Sequence, residues 1–67
     1  MTKKLNAALK LTCSAYVLRR LYDVFDNEET PHEITVRRVK KGYNEFVIRF
    51  NAGDLYYFKN ILRNIKW

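Results

Sequence analysis

The stretch Glu33-Ile-Thr-Val-Arg-Arg-Val-Lys-Lys-Gly-Tyr-Asn-Glu-Phe-Val-Ile-Arg-Phe50 restricts this chain more than any other. Ile34 and Val36 alternate with Thr35 and Arg37, and Phe46, Ile48 and Phe50 alternate with Val47 and Arg49. β-Branched and aromatic residues at period two are the signature of half-buried strands. Gly42, between the runs, supplies the left-handed backbone that a tight hairpin turn needs. A three-residue loop, Lys40-Lys41-Gly42, sets Val39 opposite Tyr43, Arg37 opposite Glu45, Val36 opposite Phe46, Ile34 opposite Ile48 and Glu33 opposite Arg49. Apolar residues then meet apolar ones and acids meet bases, whereas a slip of one residue turns the two apolar sets to opposite sides. One face of the predicted hairpin is Ile34, Val36, Phe46, Ile48 and Phe50; the other carries Arg37, Val39, Tyr43, Glu45, Val47 and Arg49.

The flanking segments read as helices. Residues 3–25 contain no glycine or proline and are rich in Ala, Leu, Lys and Arg, which predicts a helix over about 3–25. Leu5, Leu9, Cys13 and Tyr16 form one seam at helical spacing, and Leu18, Leu21, Tyr22 and Phe25 form a second. The seams do not align on a straight helix. Either this helix is buried on two sides, or the chain breaks and Ser14 caps a shorter helix. A helix apolar around most of its girth, with only a two-stranded sheet to cover it, raises the expectation of a homodimer through that helix. Asp26 to His32 form an acidic linker punctuated by Pro31. Asn51 is a good N-cap with Asp54 three positions on, and a second helix is predicted over about 52–66. Its stripe Leu55, Phe58, Ile61, Leu62 and Ile65 fits the apolar face of the hairpin. The expected architecture is therefore α+β: a helix–β-hairpin–helix (αββα) domain with the C-terminal helix on one face of a two-stranded antiparallel sheet.

Sixty-seven residues allow one domain, spanning 1–67. Cys13 is the sole cysteine, so no internal disulfide or cysteine-based metal site is expected. His32 near Glu28, Glu29 and Glu33 matches no calcium or zinc spacing, and no metal or cofactor is expected. The formal net charge is +6, distributed as +5 over residues 1–22, −5 over 23–33 and +6 over 34–67. A basic body with one acidic strap attracts phosphate, acidic surfaces or acidic proteins. The N-terminal stretch has no cleavage-site pattern and no run approaches a membrane span, so a soluble, cytoplasmic protein without membrane attachment is expected.

The sequence argues against an enzyme. There is one histidine beside a proline, no glycine-rich phosphate loop, and a cysteine, Cys13, far in sequence from His32. The predicted helix–strand–strand–helix order resembles the double-stranded-RNA-binding fold, a shape that some small RNA-cleaving toxins share. The resemblance is one of element order; there is no Gly-Ser-His run, and no residue role is carried across. Two surfaces are suited to binding. The outer hairpin face and loop give Arg37, Arg38, Lys40, Lys41, Tyr43 and Arg49; the outer side of the last helix gives Tyr56, Lys59, Arg63 and Trp67. Cations neutralise phosphates and exposed rings offer stacking planes, so DNA or RNA, bare or in a nucleoprotein, is the expected partner. The alternative is a compact inhibitor or adaptor of the kind viruses and mobile elements encode, blocking a larger host protein, because Tyr, Trp and Arg also dominate protein interfaces.

Overall fold

A computed structural model describes residues 4–65. The chain is α+β, with element order β1 (Ala7–Ser14), α1 (Ala15–Phe25), β2 (His32–Lys40), β3 (Tyr43–Phe50), a 3-10 turn (Ala52–Asp54) and α2 (Leu55–Asn64). The sheet is antiparallel and three-stranded in the order β1-β3-β2, so β3 lies in the centre.

The hairpin register follows the charge and apolar pairing. Arg37 lies opposite Glu45, Val36 opposite Phe46, Ile34 opposite Ile48 and Glu33 opposite Arg49. The turn is tighter than the predicted loop: Lys40 pairs with Tyr43, and Val39 is left over in a bulge between Arg38 and Lys40. Gly42 has φ +82°. A Cβ there meets no atom within 4 Å, so backbone conformation alone reserves the position for glycine.

The main correction lies before the hairpin. The predicted helix over 3–25 exists only from Ala15 onward, and residues 7–14 form the third strand. Lys3, where the predicted helix began, lies outside the described residues. Ala7, Leu9, Leu11 and Cys13 turn inward and Ala8, Lys10 and Thr12 outward, the period of a strand. Leu5, Leu9 and Cys13 are four apart, a spacing that suits a helix and is also a multiple of two. The edge of β3 decides between them, because a third strand satisfies its backbone groups and covers the flank of Phe46 and Ile48. Ser14 ends the strand and caps the helix: its Oγ accepts from the Val17 N–H at 3.4 Å. The sheet is thus three-stranded rather than two-stranded and the layout βαββα rather than αββα. The two apolar seams that could not share one helix belong to a strand and a helix, which removes the premise for a dimer through a continuous first helix.

Both helices cover the same sheet face. Phe46, Ile48, Phe50, Phe58 and Leu21 are fully buried, with Phe25 nearly so. The rings pack in sequence: Phe58 lies 4.6 Å from Phe50 and 6.1 Å from Phe25, and Phe25 lies 6.0 Å from Phe46. Each such side chain contributes about 1.5–3 kcal/mol on burial. The predicted stripe of α2 faces this core, but the helix is shorter than expected. Asn51 caps the preceding 3-10 turn, its Oδ1 accepting from the Gly53 N–H at 2.9 Å, and Ala52 donates its N–H to Asn6 Oδ1 at 2.8 Å. The expected linker is shortened because His32 opens β2. Its ring sits 6.0 Å from Phe25 and 5.9 Å from Phe58, while Nδ1 lies 2.6 Å from the Thr30 carbonyl. Glu28 closes this end. It accepts from the Thr30 N–H and, with both carboxylate oxygens at 2.9 Å, from the Tyr57 hydroxyl.

Candidate binding surfaces

With both helices on one side, the other face of the sheet is bare among the described residues. Its rows follow from the register: Ala8, Arg49 and Glu33; Lys10, Val47 and Thr35; Thr12, Glu45 and Arg37; and Ser14, Tyr43 and Lys40 at the turn end. Four cations share the face with two acids, and the acids are placed unevenly. Glu45 accepts from the Arg37 guanidinium at 3.1 Å, and Glu33 lies opposite Arg49. Lys10 and Lys40 have no acid across from them. Tyr43 is 45% exposed with the Lys40 ammonium 4.8 Å from its ring centre. An aromatic plane flanked by Lys40 and Lys41 therefore stands at the turn end of a flat surface.

The sequence-predicted residues do not form one site. Arg37, Lys40, Tyr43 and Arg49 share the bare face, and Lys41 is at the turn tip. Arg38, opposite Asn44, belongs to the helix-bearing side of the sheet. Tyr56, Lys59 and Arg63 are exposed on the outer side of α2, across the core from the bare face. Trp67 lies outside the described residues. Lys10 was missed, because within a helix it would have had no relation to the hairpin; strand alternation through Leu9 and Leu11 is the signal that places it beside Val47.

A second surface was also missed. Between α1 and α2 runs an open groove of about 840 Å³, whose apolar lining includes Tyr16, Val24, Ile61 and Ile65 and whose charged lining is Arg19, Arg20 and Asp23. Tyr16 is 65% exposed, and the Arg20 guanidinium donates to its hydroxyl at 2.8 Å. The signal was the Tyr16–Arg20 spacing of one helical turn.

Burial raises the Cys13 thiol above its ordinary value, which disfavours the nucleophilic thiolate. At Glu28, partial burial pushes the carboxyl up, but hydrogen bonds from Thr30 and Tyr57 and the neighbouring His32 outweigh it and the net shift is downward. Among the described residues, no three His, Cys, Asp or Glu side chains are grouped to hold a metal ion, and no helix is long and apolar enough to cross a membrane.

No protein-family model matches the chain, and comparison with curated proteins and with solved structures likewise yields no match.

Proposed function

We propose that this is a non-catalytic binding protein that lays a single strand of nucleic acid across the bare face of its sheet. The observation that carries the reading is the uncovered three-stranded face bearing Lys10, Lys40, Tyr43 and Arg49. Cations along a flat groove neutralise the backbone, and an exposed ring accepts a base by stacking. At about 3.3 Å per residue the eight-residue strands offer about 26 Å of length, enough for about four nucleotides. Reaching the helix-side cations Lys59 and Arg63 at the same time would require the ligand to wrap around the molecule.

Fluorescence anisotropy with a labelled single-stranded oligonucleotide tests this. With Lys10, Lys40, Lys41 and Arg49 on phosphates, the slope of log affinity against log salt is expected near about −3. Tyr43→Ala is expected to weaken binding about 5- to 100-fold, the worth of one stacked base. Absence of binding at low salt, or affinity that does not vary with salt, would sink the proposal.

The inter-helix groove supports a second reading, an inhibitor or adaptor that grips a protein. Its apolar floor, bordered by Arg19, Arg20 and Asp23, suits an amphipathic segment that brings an apolar stripe and charges of both signs. This reading expects a nuclease-resistant capture from host extract that Tyr16→Ala abolishes and Tyr43→Ala leaves intact.

A further inference from the structure

The two edges of the sheet are built differently. β2 is preceded by Pro31, interrupted by the Val39 bulge and loaded with Glu33, Arg37, Arg38 and Lys40. Those are the devices that stop a sheet edge from recruiting another strand. β1 lacks them. It pairs with β3 over eight residues without a register shift, contains no proline or glycine, and has Lys10 as its single charge. Its outer row of N–H and C=O groups pairs with no other strand among the described residues. Alongside, the half-buried side chains of Leu11 and Val17 line an open hollow of about 470 Å³ that Tyr43 also borders.

We propose that β1 docks on β1 of a second copy, antiparallel, about a two-fold axis at Leu11, giving one continuous six-stranded sheet. The register follows from the strand's length, its faces and its charge: axes at Leu11 and at Lys10 each pair about seven residues of Ala7–Ser14, and axes farther out pair fewer. A continuous sheet requires inward residues to meet inward residues. An axis at Leu11 does this and sets Lys10 against Thr12 of the second copy and Leu9 against Cys13 of the second copy. An axis at Lys10 would set the two lysines directly opposite each other, with their Cβ atoms about 5 Å apart, an unfavourable like-charge pair. The chosen register brings the two hollows at Leu11 and Val17 together across the axis, and it leaves both helical layers on the same side. It also sets the two bare faces side by side, although the pairing does not depend on what those faces bind.

Sedimentation equilibrium of the full chain tests the pairing. A reversible dimer is expected that tightens as salt rises, because each copy carries +6. Thr12→Lys sets like charges opposite Lys10 at two symmetric places and is expected to loosen the dimer about tenfold; Thr12→Glu tightens it by a similar factor. Adding Lys10→Glu to Thr12→Lys restores the pairing. Within one copy Thr12 lies opposite Glu45, so Thr12→Lys favours the folded monomer and the loosening is not an unfolding effect, which circular dichroism checks. A monomer at about 100 μM in high salt overturns the proposal. So does a dimer indifferent to Thr12→Lys, or one that Lys10→Glu fails to rescue.

Discussion

The two faces of the sheet share the same strands and have opposite properties. On one, Phe46, Ile48 and Phe50 are sealed beneath Leu21, Phe25 and Phe58. On the other, residues one position away along each strand stand in solvent with no helix above them. Strand alternation lets the sealed face hold the fold together while the bare face is left to vary with little consequence for folding. Substitutions on the two faces should therefore separate cleanly into losses of stability and losses of binding.

The largest separation is expected between Phe58 and Tyr43. Phe58→Ala removes the ring that stacks on both Phe50 and Phe25, costs about 3–5 kcal/mol, and in a chain this small should abolish a cooperative thermal transition. Tyr43→Ala should leave the melting temperature nearly unchanged, within about 0.5 kcal/mol, while weakening oligonucleotide binding. A Tyr43→Ala protein that unfolds would erase the distinction between the faces. Intermediate effects are expected at the rim of the sealed layer. Asn6→Ala removes the acceptor for the Ala52 N–H and should cost about 1 kcal/mol by chemical denaturation without altering binding; Ser14→Ala removes the cap of α1 at a similar cost, at a position that also adjoins Tyr43 on the other face.

The smallest effect is a pH dependence at the Glu28–Tyr57 hydrogen bond. The Glu28 pKa is lowered, so its contribution is complete above the ordinary carboxyl value of 4.5 and lost as pH falls through the lower folded value. Hydrogen bonding to Glu28 raises the Tyr57 pKa, so its contribution is complete below 10.0 and lost as pH rises through the higher folded value. Melts of the wild type against Tyr57→Phe should differ by a constant amount between these limits and converge outside them. A difference that grows in acid would contradict the assignment.

The hairpin could be read from sequence because its pairing is over-determined: charge, size and the Gly42 turn all select one register. β1 could not. Its Ala, Leu and Lys residues favour a helix in isolation, and the four-residue spacing of Leu5, Leu9 and Cys13 satisfies both periods. Only the unfilled edge of β3, a tertiary fact, tips the segment to a strand. The candidate site inherited that error. Arg49 and Tyr43 were identifiable as outward-facing, but Lys10 joins them only once β1 lies beside β3. That Tyr56 and Arg63 lie on the opposite side depends on both helices choosing the same face, which the alternation pattern alone does not specify.

The strand order 1-3-2 has a consequence for biosynthesis. Ala7–Ser14 leaves the ribosome ahead of its partner and must wait, unpaired, until residue 50 has followed it. The helix nucleated at Ser14 and the hairpin can each assemble locally; Ala7–Ser14 is expected to join last, by a long-range closure that slows folding. Nascent chains stalled before Phe50 clears the exit tunnel should therefore hold that segment open, and a late step tied to its capture should appear only once Phe50 has emerged.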